Sequence, residues 1–179
     1  MANLTRRPAR TPVSKRNPRA AASGPRTEYL AFTLAGDTYA APVSLVREIL
    51  KPPPLTPVPR APEATMGIVS VRGQLVTVID LRRRMRLTEA APTRRARILL
   101  VDAAASGETL GLFVDEVQQV YRLADAEIEH AATALGGDVA GYIAGIARPM
   151  HGASAPEGTQ GEAQPRVIIL LDLQAILAS

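Results

Sequence analysis

From residue 29 onward, apolar and polar positions alternate in short runs, the pattern of half-buried strands. Leu30, Phe32 and Leu34 share one side of Tyr29–Leu34, Gly36-Asp37 supplies a turn, and Tyr39–Val43 is the predicted returning strand. Ser44 stands where it would cap a short helix, Leu45–Leu50, in which Leu45 and Ile49 share a face. Six prolines between 52 and 62 force an extended connector. Ile68–Val71 and Leu75–Ile79 flank Arg72-Gly73-Gln74, a strand–turn–strand signal. Asp80 occupies a cap position before a helix predicted over Leu81–Leu87. Arg97–Val101 and Thr109–Val114 form a further predicted hairpin around Ser106-Gly107. Tyr142–Ala147 and Val167–Leu171 are predicted strands joined by a long Gly-, Ala-, Pro- and Ser-rich loop, and Asp172 opens a last short helix, Leu173–Leu177.

The pattern repeats. Gly36-Asp37-Thr38-Tyr39-Ala40, followed by Val43, Val46 and Ile49, returns as Gly107-Glu108-Thr109-Leu110-Gly111, followed by Val114, Val117 and Val120, at an offset of 71. Ser44 corresponds to Asp115. Gly67-Ile68 returns as Gly145-Ile146 at an offset of 78, and Ile79-Asp80-Leu81 as Leu171-Asp172-Leu173 at an offset of 92. The last increase falls on the loop at 148–165. Offsets kept in order indicate duplication of a unit of about 70 residues, read as strand, turn, strand, short helix, connector, strand, strand, short helix. Short antiparallel strands with close turns point to small barrels. Units of that size are near the lower limit for a self-sufficient core, so two of them gain by packing together, with a groove at the seam.

Charge divides the chain. Residues 1–26 hold seven basic residues and no acid, while the remainder holds 14 basic and 17 acidic residues, a net of −3. The tail is too poor in large apolar side chains to offset its conformational entropy, and is expected to be disordered. Its charge is open to two readings, a contact with nucleic acid or anionic lipid and a solubilising extension. The chain contains no Cys, which excludes disulfides, thiolate nucleophiles and Cys-based zinc sites. Aromatics make up only 3% of residues, against a sugar cleft or a base-stacking surface. No apolar run approaches the ~20 residues of a membrane-spanning helix, and no secretory h-region opens the chain, so a cytoplasmic location is expected.

Candidate chemistry is sparse. Asp80 and Asp172 each precede an apolar residue at a helix start and are expected to cap. Arg82, Arg83, Arg84 and Arg86 are expected to form a solvated basic face. His130 and His151 are expected in loops, with no spacing that pairs them with acids at a metal site. Arg72 admits two roles, a planar fork for a partner's carboxylate or a structural bond to backbone carbonyls of its own hairpin. Glu48, near the end of the predicted helix, sits where the helix dipole disfavours an acid, which gives a partner-facing role some support. No phosphate loop, nucleophile elbow or dinucleotide fingerprint occurs, so no catalytic residue, metal or cofactor is expected.

The stretch Gly67-Ile68-Val69-Ser70-Val71-Arg72-Gly73-Gln74-Leu75-Val76-Thr77-Val78-Ile79-Asp80-Leu81-Arg82 closely resembles the signature of CheW-like domains. Val46-Arg47-Glu48-Ile49 and Leu170-Leu171-Asp172-Leu173 resemble two further family segments in the same order. Ser70 stands where the family has Asn, Thr77 and His130 where it has Pro, and the 148–165 loop is longer than usual. The resemblance implies a mainly β fold of two five-stranded SH3-like barrels over residues 27–179, with a few short helices. The first would span roughly 28–90 and the second roughly 95–165, with their ends open to strand exchange. It also implies a non-catalytic adaptor that couples chemoreceptor cytoplasmic tips to a CheA-type histidine kinase at receptor arrays. By similarity Val46, Glu48, Arg72 and Gly73 fall in the receptor-binding region, and the second barrel meets the kinase through residues the resemblance does not specify. The competing class is a nucleic-acid-associated protein acting through its basic tail.

Overall fold

The computed structural model describes residues 25–88, 91–103, 107–130, 141–148 and 167–178. Two runs of strands follow one another, each closed by a short helix. The first comprises β1 (Arg26–Leu34), β2 (Asp37–Pro42), β3 (Val46–Leu50), β4 (Thr65–Val71), β5 (Gln74–Asp80) and helix α1 (Leu81–Arg84). The second comprises β6 (Arg97–Asp102), β7 (Thr109–Val114), β8 (Glu116–Ala124), β9 (Ile128–His130), β10 (Ile143–Ala147), β11 (Ile168–Leu171) and helix α2 (Leu173–Ala178). The predicted tail lies almost wholly outside the described residues, as do His151 and the 149–166 part of the long loop.

The two runs trade hairpins. Sheet A is ordered β8-β1-β2-β11-β10-β9, and sheet B β3-β6-β7-β5-β4. The β1–β2 hairpin of the first run therefore completes the sheet of the second, and β6–β7 completes the sheet of the first. Register obeys the repeat. In sheet B, Thr77 lies opposite Leu110 and Val78 opposite Gly111; in sheet A, Ile169 lies opposite Tyr39 and Leu170 opposite Ala40. These pairs are related by the offsets of 92 and 71. The fold is mainly β with two SH3-like lobes, as expected, although sheet A carries a short sixth strand, β9, and among the described residues in neither sheet do hydrogen bonds join the first strand to the last.

Strand alternation sorts the apolar residues into three cores. The exchanged hairpins are buried on both faces, so their sequences run almost continuously apolar. Leu30, Phe32, Leu99, Val101, Leu112 and Val114 point into a central core between the lobes, with Leu81, Met85, Leu173 and Ile176 from the helices. The opposite phase fills the lobes, with Ala31, Ala40, Tyr121, Leu123 and Leu170 in sheet A and Val76, Val78, Ile98, Leu100 and Phe113 in sheet B.

Two glycines mark where an extra chain crosses a strand. A Cβ on Gly67 would lie 2.5 Å from the backbone oxygen of Thr56, and one on Gly145 would lie 2.8 Å from that of Glu129. Both stand at register shifts between equivalent strand pairs. The predicted cap at Asp80 is present: its Oδ1 accepts from the backbone N–H groups of Arg82 at 2.9 Å and Arg83 at 3.4 Å. Asp172 Oδ1 accepts from the Ala175 N–H at 3.1 Å.

The helix predicted over Leu45–Leu50 is not formed. Val43–Leu45 is a single 3-10 turn preceded by Pro42, without a side-chain cap, and Val46–Leu50 is strand β3. The same misreading carried through the repeat to the segment after Val114, which is the nine-residue strand β8. The physical reason is a bulge. Val46 pairs with Val101 and Glu48 with Leu100, so β3 carries one extra residue; Val117 pairs with Phe32 and Val120 with Leu30, so β8 does likewise. A bulge turns the apolar spacing of two into three, which imitates a helical face.

Candidate functional site

Three consecutive residues of β3 reach in three directions because of the bulge. Val46, opposite Val101, packs against the central core. Arg47 donates from Nη1 to Asp102 Oδ1 at 3.1 Å and to Thr109 Oγ1 at 3.2 Å, and Thr109 Oγ1 donates to the same carboxylate oxygen at 3.0 Å. Glu48 turns the other way and accepts from Arg72 Nη2 at 3.0 Å. The helix-dipole argument for Glu48 therefore falls; Glu48 is held in a strand by Arg72.

Arg72 and Gly73 form the two-residue turn between β4 and β5, with Val71 opposite Gln74. Both have positive φ, 50° and 82°. Gly adopts this region freely, whereas a side chain with a Cβ is disfavoured there, and hairpin turns of this kind prefer Asn or Gly. Arg72 nevertheless keeps this left-handed conformation, with its side chain 79% exposed. Among the described residues its guanidinium pairs with Glu48, at 3.0 Å.

Of the four residues predicted for the site, Glu48, Arg72 and Gly73 meet at one tip of sheet B, and Val46 lies two residues along the same strand, on the inter-lobe side. Two exposed apolar side chains were passed over by sequence reasoning, Leu75 next to the turn in β5 and Ile49 on the face of β3 opposite Glu48. Leu75 is 74% exposed and Ile49 is 42% exposed. Leu75 was legible in the alternation: Val76 and Val78 point inward, so Leu75 must point outward. Gln74–Thr77 and Gly107–Leu110 line an open cleft where β5 and β7 diverge before their parallel pairing begins. Ile49 was hidden by the predicted helix, which gave it a buried partner in Leu45.

Two further expectations are corrected. The arginines of α1 are not a uniform solvated face. Arg82 is buried, 3.3 Å from Asp115 and 3.7 Å from Asp80 through its guanidinium, and Arg84 donates twice to the backbone oxygen of Ile176 at the end of α2. Burial of a guanidinium requires paired charge, and two carboxylates supply it. His130 is in strand β9 rather than a loop, with Nε2 3.0 Å from Asp125 Oδ1.

The tip combines an accessible ion pair, the exposed Leu75 side chain and an open cleft. Such a surface excludes water from apolar contacts and sets register with charge, which is the chemistry of a protein-binding module. The CheW-like domain model matches residues 28–179, and the chain belongs to that family. It is 29% identical over 102 residues to chemotaxis protein CheW of Rhizobium meliloti, covering 57% of this chain and 64% of that protein, under two thirds of its length. It is 31% identical over 121 residues to protein FrzA of Myxococcus xanthus, covering 68% of this chain and 73% of that protein. The crystal structure of the scaffolding protein TtCheW from Thermoanaerobacter tengcongensis is similar with a TM-score of 0.70 and 26% identity, covering 84% of this chain and 92% of that one. Among the described residues, no helix is long and apolar enough to cross a membrane.

Proposed function

We propose that this protein is a non-catalytic scaffold that couples chemoreceptors to a CheA-type histidine kinase in a chemotaxis or motility pathway. It works in the cytoplasm, recruited to receptor arrays. Membership of the CheW-like family and the likeness to proteins named for chemotaxis support the class. The observation that carries the site is the Glu48–Arg72 pair at the exposed hairpin tip.

On this reading the receptor tip lies against β3 and the β4–β5 turn. Leu75 supplies apolar area, Val46 continues it toward the inter-lobe seam, and Glu48 orients the Arg72 guanidinium toward a carboxylate of the receptor. A guanidinium that already holds one acid in a fixed plane loses less freedom on meeting a second. No turnover is involved; the output is the geometry in which kinase and receptor are held.

The test is co-sedimentation with receptor-containing membranes. Arg72→Glu reverses charge at the tip and sets two acids face to face, and receptor binding should be lost while the circular dichroism spectrum is unchanged. Undiminished co-sedimentation of that variant would remove Arg72 from the site.

A further inference from the structure

The polypeptide passes from a sheet-A or sheet-B hairpin into the other sheet at two equivalent places. The first crossover runs from β2 to β3 through the 3-10 turn Val43–Leu45. The second runs from β7 to β8 through a single residue, Asp115. Ser44 and Asp115 are the repeat-related residues of the two crossovers, and their surroundings differ sharply.

Asp115 is held on every side. Its N–H donates to Thr33 O at 3.1 Å, and its Oδ2 accepts from the Ala35 N–H at 2.8 Å, in the β1–β2 turn. Its Oδ1 lies 3.3 Å from Arg82 Nη1, and the same guanidinium reaches Asp80 Oδ1 at 3.7 Å. The Arg82 side chain is 4% exposed and that of Asp80 6%. One buried chain of charge thus ties β5 and α1 of sheet B's run to the crossover, and the crossover to the outer turn of sheet A. Ser44 is exposed, in a turn with no side-chain cap. The repeat partner of Arg82 is Gln174, which donates to the backbone oxygen of Asp102 at 3.4 Å and brings no charge to the Ser44 crossover.

We propose that the two lobes are joined by one clamped and one compliant crossover, with Arg82 as the clamp. The lobes keep their mutual angle at Asp115 and adjust at Val43–Leu45. The compliant side leads directly into β3, which carries Val46, Arg47 and Glu48, so strain from an occupant of that face is absorbed there. Packed interfaces hold discrete arrangements, and freeing one charged tether releases the angle it fixes.

The decisive variant is the double change Arg82→Gln with Asp115→Ser, which gives the second crossover the residues of the first. It removes Arg82 and Asp115 together, so neither is left facing the other's empty place, and buried Asp80 keeps its bonds to the backbone of α1 and its contact with Arg83 at 4.0 Å. The chain has no Cys, so Ser70→Cys on β4 and Gln118→Cys on β8, both at exposed positions, accept spin labels at one site in each lobe. The parent should give a narrow distribution of label distances, and the double variant a broadened one. Amide exchange at Ala35 should rise about tenfold or more, through the loss of its hydrogen bond to a charged group, while exchange at Val46 on the other crossover stays as it was. Asp115→Asn, which keeps an acceptor for Ala35 but turns an amide toward Arg82, should move both readouts in the same direction. A folded variant of either kind with an unchanged distance distribution and unchanged exchange at Ala35 overturns the clamp.

Discussion

The lobe built on sheet B and the lobe built on sheet A share a register but distribute their volume differently. Sheet B is filled by Ile98, Leu100, Phe113, Val76 and Val78, and at its centre stands Gly111, where an added Cβ would meet Ile98 Cγ2 at 2.8 Å. The position related to Gly111 in sheet A is Ala40, beside the small Ala31 and the large Tyr121 and Leu123. A duplicated backbone keeps its hydrogen-bond pattern because pairing is common to every residue; side chains are free to drift so long as each interior is filled. The tips drifted further. Sheet B ends in a two-residue turn bearing Arg72, whereas the related strands β10 and β11 of sheet A are joined through residues 148–167. The Glu48–Arg72 pair belongs to the sheet-B tip; the matching connection in sheet A lies mostly outside the described residues.

That contrast sets the tests in order of size. The largest effect belongs to Arg82→Met, which takes the guanidinium from buried Asp80 and half-buried Asp115 and should cost about 3–5 kcal/mol. Its counterpart Gln174→Met should cost under ~1 kcal/mol, since it removes no charge and its bond to Asp102 O is long and exposed. Urea denaturation of both variants measures the difference, and equal losses would mean that the two crossovers are held alike. Next, Gly67→Ala should lose about 3 kcal/mol, because its Cβ meets backbone and its φ of +148° is strained for any side chain, with Gly145→Ala losing less, as only the close approach applies. Gly111→Ala should lose roughly 1–3 kcal/mol by overpacking; thermal melts rank the three. Leu75→Asp should leave the melting temperature almost unchanged while abolishing receptor co-sedimentation. Retained binding would exclude Leu75 from the contact face. The smallest effect concerns Tyr39, whose phenol is held above its ordinary value by burial first and by Asp37 second. The fold therefore favours the neutral ring. That contribution is complete below about pH 10 and fades as pH rises through the raised value. Burial raises Tyr29 as well, so alkaline melts should show the loss in the parent and a smaller one in Tyr39→Phe.

Much of this was legible in the residues. Alternation placed the β1–β2 and β6–β7 hairpins, β4, β5 and the caps at Asp80 and Asp172, because period two and a cap are local signals. The repeat was legible too, since Gly67 and Gly145 answer to the same close crossing. The bulged strands were not: Val46 and Ile49, like Val117 and Val120, are three apart for a reason that lies in the partner strand. Nor was the burial of Arg82, which depends on Asp115, 33 positions away along the chain. At the tip, Glu48 and Arg72 were joined only by family likeness; the ion pair that unites them crosses from one edge strand to a distant turn.

Hairpin exchange has a consequence for ancestry and for engineering. A half-length chain of this design would own three or four strands of a sheet whose missing hairpin lies in its twin, so it would fold only by embracing an identical molecule. Fusing two such chains end to end turns that embrace inward and frees each copy to change alone. A chain severed near residue 92 should behave as the ancestor did, its two pieces unstructured apart and native when mixed.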